Sequence, residues 1–234
     1  MIPQVLYTNS KCSDIWEMFY NQNLKHYNTN LYIISDSDEF LNIPKERIYK
    51  YDEKEFYYES WIKGLNRFNL DTFIYLQEDF ILYDNVKQDI LIEYQKFLNK
   101  NDKYSFVRLI KSGYNLSNNK IYNNLFEIGW NSFPLYSMQP SIWKTKQFIK
   151  LYEKAKQQKW FECDEYEKVC KDLNIYGVYH YNEENARGGH FDSSVYPYIA
   201  TAIVKGKWNV SEYTKELTPL FEKYKIQAHK RGTC

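Results

Sequence analysis

The 234-residue chain has almost no net charge: 31 Lys and Arg against 30 Asp and Glu leave +1. No global field therefore draws it to nucleic acid or to an anionic membrane. No apolar run approaches the ~18 residues that a bilayer-spanning helix needs. The opening MIPQVLYTNS lacks the basic start and apolar core of a secretory signal. Without an export signal, the formal glycosylation acceptors Asn115 and Asn209 carry little meaning. Cysteines are few, and Cys12, Cys163, Cys170 and Cys234 follow no zinc or redox spacing. Internal repeats and linkers are absent too. Together these absences predict one soluble domain, large enough for a substantial core, in the reducing cytoplasm.

What the chain does have is aromatic side chains: 24 Tyr, 14 Phe and 6 Trp. Such rings suit stacking on flat bases or apolar sugar faces; a Tyr-rich coding background produces the same count. The sharper signal is FIYLQEDFILYD, Phe73 to Asp84. There two adjacent acids, Glu78 and Asp79, interrupt an apolar run that resumes at once. Burying an unpaired carboxylate costs several kcal/mol. The acids therefore sit where a strand emerges, or they hold a cation.

Hydrophobic spacing sets the surroundings of that run. PQVLYTNS (3–10), LYIIS (31–35), RIYKY (47–51) and TFIYL (72–76) read as strands. Helices fit 12–27, capped by Ser13 or Asp14, and 55–66 on the face of Tyr58, Trp61, Ile62 and Leu65. Strand–helix alternation with short connections predicts an α/β fold whose sheet is mostly parallel and flanked by helices. In such sheets ligands bind beyond the carboxyl ends of the strands. That rule singles out YTNS, SDSD and QED. In the second half a helix is expected over 89–99, a strand over 104–110, and a polar loop or hairpin over 112–124. An extended segment (134–143) leads into a helix over 146–157, and a second helix covers 160–173. A mobile loop is expected around 185–192, and a terminal helix over 212–224.

The order YTNS, IISDSD, a helix with Tyr58 and Trp61, then YLQEDF resembles the nucleotide-binding half of GT-A type glycosyltransferases. SMQPSIW (137–143), WFECDE (160–165) and IVKGKW (203–208) resemble small capsule- and surface-glycan glycosyltransferases of bacteria and large DNA viruses. The resemblance covers roughly residues 3–210. It implies a single domain over 1–234, with a nucleotide-sugar-binding half (1–100) and a mixed acceptor-binding half (101–234). It further implies a bacterial or virus-infected host cytoplasm. Two departures stand out: the family's Asp-x-Asp place reads Gln77-Glu78-Asp79, and a literal Asp36-Ser37-Asp38 follows the second strand instead.

A nucleotide-diphosphate sugar needs its diphosphate neutralised, and Mg²⁺ or Mn²⁺ does so with one or two carboxylates and phosphate oxygens. Asp79 is the expected ligand. On a continuing strand Glu78 would face the opposite way, toward ribose, a water or a neighbouring cation, with Gln77 beside it. The resemblance places Thr8 and Asn9 at the base, Asp36 and Asp38 at base or ribose, and Tyr58 with them. It offers His190 as a second metal ligand. Arg187, Lys205 and Lys207 are candidate diphosphate partners. Inverting transfer needs a general base, for which Glu162 and Asp164 at a helix start are the candidates. Buried Arg108 implies a carboxylate partner, while Trp143 and Trp208 are expected in packing. The expected partners are a nucleotide sugar and a glycan acceptor. Two rivals remain: a sugar nucleotidyltransferase, which usually carries a glycine-rich basic turn after the first strand, and a non-catalytic carbohydrate- or protein-binding module rich in tyrosine.

Overall fold

A computed structural model of the chain describes residues 1–28, 30–40, 42–156 and 163–234, without the side chains of 163 and 164. The first half alternates β1 (Gln4–Tyr7), α1 (Ser13–Tyr27), β2 (Leu31–Ser35), β3 (Ile48–Lys50), α2 (Tyr57–Phe68) and β4 (Thr72–Gln77). The second half contains α3 (Gln88–Lys100), β5 (Tyr104–Arg108), β6 (Lys120–Tyr122), β7 (Leu125–Glu127), β8 (Ser141–Lys144), α4 (Thr145–Ala155), α5 (Cys163–Asp172) and β9 (Tyr176–His180). Two hairpins follow, β10 (Ala186–Arg187) with β11 (His190–Phe191) and β12 (Ile203–Val204) with β13 (Lys207–Trp208); then comes α6 (Val210–Tyr224).

Nine strands form one sheet in the order β3-β2-β1-β4-β8-β5-β9-β7-β6. Only β8 and β7 run against the others, so the sheet is mostly parallel. The central strands β1 and β4 are continuous apolar runs, buried from Val5 to Leu6 and from Thr72 to Leu76. That pattern belongs to strands covered on both faces. Helix α2 buries Tyr57, Trp61, Gly64, Leu65 and Phe68, the i, i+4, i+7, i+8, i+11 stripe of an amphipathic helix. It sits so close to β2 that a Cβ on Gly64 would come within 2.6 Å of Ile34. Among the described residues no helix is long and apolar enough to cross a membrane.

Three expectations are corrected. No side chain caps α1; a turn of 3₁₀ helix (Ser10–Cys12) leads into it, and Asn9 Oδ1 accepts from Lys11 N at 3.0 Å. The loop around 185–192 forms the β10–β11 hairpin, pinned at Ser112–His190 and by Phe191 N to Lys111 O at 3.1 Å. And β9, in a stretch where no strand was expected, is an interior strand whose Gly177 leaves room for the ring of Phe106: a Cβ there would lie 2.1 Å from it.

Candidate functional site

The chain crosses from β4 into a tight turn immediately after Gln77, closed by Phe80 N donating to Gln77 O at 3.1 Å. Glu78 and Asp79 are the two residues of that turn. They do not point to opposite faces as a continuing strand would require; both line one cavity of about 260 Å³. Beyond them Phe80, Ile81 and Leu82 return to the core. The acids are thus tolerated at a strand end that faces a cleft.

The facing wall is the end of β1, paired in parallel with β4 up to Tyr7–Gln77. Thr8 and Asn9 line the same cavity. The Thr8 hydroxyl accepts from Trp16 Nε1 at 2.9 Å, which leaves its own proton for Glu78. Tyr7 and Tyr57 supply an aromatic side, their rings meeting edge-on at 4.7 Å, with Tyr7 also stacked on Tyr51 at 5.4 Å. Gln77 lines the cavity and donates to the Tyr75 hydroxyl at 3.0 Å.

Two cations complete the cavity. Lys205 stands with Gly206 in the two-residue turn of the β12–β13 hairpin, at φ +48° and +79°. This is the left-handed pairing that suits tight hairpins. Arg231 comes from a segment that docks beside β13, with Trp208 N donating to Gly232 O at 3.0 Å and Cys234 N to Trp208 O at 2.9 Å. Its guanidinium donates twice to Asp14, at 2.7 and 2.5 Å.

The electrostatics follow from this enclosure. Burial, then the charge of Glu78, pushes the Asp79 carboxyl up to about 8, with the Ile203 backbone drawing it partly back. Burial also raises Glu78, opposed by Cys12, its own backbone, Thr8 and Arg231. Burial and the neighbouring Glu78 push the Cys12 thiol up to about 12, so it remains protonated and unreactive. Two adjacent acids, one held in its neutral form by burial and by the charge of the other, suit a divalent cation that displaces the proton. Glu78 and Asp79 would hold it, with coordination left for water or phosphate oxygens. Among the described residues no three His, Cys, Asp or Glu side chains gather into a metal-binding group.

Of the residues singled out in the sequence, Thr8, Asn9, Gln77, Glu78, Asp79 and Lys205 are brought together here. Others are not on the cavity wall. Asp36 accepts from Ser10 N and Oγ, both at 2.7 Å, tying the β1–α1 turn to the end of β2. Asp38 pairs in solvent with Lys50 at 3.4 Å and Lys45 at 4.0 Å. Tyr58 reaches Glu59 at 3.4 Å; its neighbour Tyr57, one position round the helix, faces the cavity. Arg187 is engaged by Glu216 at 2.8 Å and Asp192 at 3.3 Å. His190 lies on β11, its pKa lowered by burial and by Arg108. Lys207 is an exposed residue of β13. Glu162 lies outside the described residues, and Asp164 falls in the first turn of α5. Buried Arg108 donates to the carbonyls of Ser112, Pro134 and Leu135 at 2.9–3.0 Å, with Glu167 as its nearby acid. Trp143 and Trp208 are core residues.

Tyr7, Cys12, Tyr57, Ile203, Gly206 and Arg231 are the cavity residues the sequence reading missed. Tyr57 was legible from the α2 stripe, four residues before Trp61. Nothing local marks Arg231, which reaches the site through backbone pairing with a distant hairpin. A larger hollow of about 660 Å³ lies at the opposite end of β4, beside Asp71 and Lys144, and holds none of the expected residues.

No family model and no curated protein sequence matches the chain. Among solved structures it is similar to a cytidylyltransferase from Leptospira borgpetersenii, at 10% identity, 97% of each chain and a TM-score of 0.48. It is also similar to a CMP:2-keto-3-deoxy-manno-octonic acid synthetase complexed with CTP (9% identity, 76% of this chain and 88% of that one, TM-score 0.46). A third is a glucose-1-phosphate thymidylyltransferase described as putative, from Bacillus anthracis (14%, 77% and 87%, TM-score 0.45).

Proposed function

We propose that the chain is a metal-assisted transferase working on a nucleotide-activated sugar. One observation carries this reading: Glu78 and Asp79 share a cavity with Lys205 and Arg231 at the joined ends of β1 and β4. A divalent ion bound by Asp79, with Glu78 beside it, would supply charge neutralisation for a departing phosphate group. Lys205 and Arg231 add fixed positive charge to the same phosphates, the guanidinium through the nitrogen that Asp14 does not engage. Tyr7 and Tyr57 give the cavity an aromatic side against which a base can pack, and Thr8 and Asn9 close the side nearest β1.

Two reactions suit this wall. In the first, a sugar moves from a nucleotide-diphosphate sugar to a glycan hydroxyl, with Glu162 or Asp164 as the proposed base. The glycine-free turn between Tyr7 and Ser13 favours it. In the second, a nucleoside triphosphate and a sugar phosphate combine into the activated sugar and pyrophosphate leaves. Two cations facing the acid pair suit the longer phosphate chain and favour that. The structural likenesses, all with TM-scores of 0.48 or below, carry no weight between the two.

The products tell them apart. The full chain is incubated with Mn²⁺ and UDP-, GDP- or dTDP-sugars plus glycan acceptors, or with nucleoside triphosphates plus sugar 1-phosphates. Released nucleoside diphosphate identifies the first reaction and pyrophosphate the second. Asp79→Asn is expected to abolish the Mn²⁺-dependent thermal shift with nucleotide. Neither product and no metal-dependent shift in the wild type would overturn the proposal in favour of a binding module.

A further inference from the structure

Among the described residues the two most exposed large apolar side chains are aromatic and adjacent. Tyr114 is 71% exposed and Phe133 50%. Their backbones are joined by reciprocal hydrogen bonds, Tyr114 N to Phe133 O at 2.6 Å and Phe133 N to Tyr114 O at 3.0 Å. The two loops are fixed in place. Gly113, at φ +105°, lets them approach: a Cβ there would lie 2.3 Å from Phe133 O. Ser132 Oγ donates to Asn115 O at 3.0 Å, and the Tyr179 hydroxyl to Ser117 O at 2.8 Å. Solvated aromatic rings on a braced backbone mark an interaction surface.

Its surroundings say what it fits. Residues 112–119 and 129–133 contain no acid or base. The exposed polar residues next to the rings in sequence are Asn115 and Asn131, with Asn118 further along the same loop; their amides donate and accept at once. The nearest charges stand at the ends of these segments, at Lys111, at Lys120 and at Glu127, which accepts from Asn119 Nδ2 at 3.2 Å, so a charged ligand finds no counter-charge between them. A neutral polyhydroxylated ligand finds ring faces for its apolar face and amides for its hydroxyls. The surface also lies on the same sheet edge as the acid-lined cavity. β4 and β5 run in the same direction on either side of β8, with Tyr75 and Arg108 both paired to Ser141. Two strand spacings put those ends about 10 Å apart, and the Tyr114 loop continues from β5.

We infer that Tyr114 and Phe133, with the asparagines around them, form a binding surface for a neutral oligosaccharide. As the surface that holds the acceptor it rests on the transferase reading above; as a carbohydrate-binding surface it is tested separately. The full chain, free of metal and nucleotide, is applied to an array of neutral and acidic glycans. Neutral glycans are expected to bind, with Tyr114→Ser and Phe133→Ser each weakening the best one by about tenfold and Tyr114→Phe sparing it. Both rings are solvated, so the serine variants are expected to melt with the wild type. Asp79→Asn is expected to bind glycan as the wild type does, so failure of the nucleotide chemistry leaves this result untouched. Absence of neutral-glycan binding, preference for acidic glycans, or serine variants that bind normally would overturn the inference. So would self-association in sedimentation that Tyr114→Ser abolishes, which would assign the surface to a second copy of the chain.

Discussion

Replacing Asp79 by Asn is expected to stabilise the metal-free protein while removing its metal response. The folded carboxyl titrates near 8 against an ordinary 3.8. Below pH 4 the group is protonated in both folded and unfolded states, and its burial has no ionic cost. Between pH 4 and 8 the unfolded chain releases the proton while the folded chain keeps it. The unfolded state then binds fewer protons, so stability falls as pH rises. Each unit of separation is worth about 1.36 kcal/mol. At pH 7 about three units are in play, and because Glu78 shares the site we place the penalty at about 2–4 kcal/mol. Asparagine escapes it. For a chain of this size that corresponds to a melting temperature higher by roughly 4–16 °C. The assay is thermal unfolding of wild type and Asp79→Asn in EDTA from pH 4 to 8. The curves are expected to converge at pH 4 and separate steadily above it, with Mn²⁺ raising only the wild type. An Asp79→Asn protein that melts at or below the wild type at pH 7 in EDTA would refute the reasoning.

Three further outcomes follow from the same structure. Burial alone would raise Glu184, but His180 at 2.8 Å, Ser194 Oγ at 2.5 Å and Asn182 N at 2.5 Å outweigh it and hold the carboxyl at about 2. A lowered carboxylate stabilises above its unfolded pKa of 4.5 and loses that contribution as pH falls toward 2; Glu184→Gln is expected to cost about 3 kcal/mol at pH 7 in urea unfolding and almost nothing at pH 2. Gly177→Ala drives a methyl into Phe106, whose ring is stacked on Trp143 at 4.3 Å and has no room to retreat; a loss of about 2–3 kcal/mol is expected, partly restored by Phe106→Leu. Lys205→Ala and Arg231→Ala are each expected to weaken nucleotide binding about tenfold or more in titration calorimetry, with Arg231→Lys only partly restoring it because the two-bond tie to Asp14 that positions the charge is lost.

The front of the fold was legible because its signals are local. Four apolar runs, helical spacing between them and polar residues at their ends were enough to place β1 to β4 and to single out the acids at the end of β4. The failures have local causes too. β9 was hidden because its interior glycine lowers strand propensity, and that glycine's reason is a ring from another strand. Tyr58 was taken for Tyr57 because a one-residue change of helical face alters the apolar pattern little when both positions are tyrosine. The Glu78–Asp79 geometry was misjudged by assuming that the strand continued. A turn of two residues reverses the alternation rule and sends both carboxylates to the same side.

Arg231 shows why the rest was beyond reach. Its place depends on a hairpin turn at Lys205-Gly206, on the docking of residues 228–234 against Trp208, and on Asp14 at the start of α1. The hairpin turn, Trp208 and Asp14 are all distant from it in sequence. The acids, by contrast, announced themselves because apolar strands flank them at a separation of one residue. Where a charge sits among residues that water would avoid, its free-energy cost is readable from sequence; where its compensating charge comes from is a property of the closed fold. The asymmetry has a consequence for the site. Asp14 already takes two hydrogen bonds from Arg231, so the guanidinium does not neutralise the acid pair, and Asp79 stays near 8 despite a cation in the same cavity. Further positive charge is therefore left for a ligand to bring, and a divalent cation that arrives with a phosphate would stabilise the two carboxylates that the fold holds at a cost.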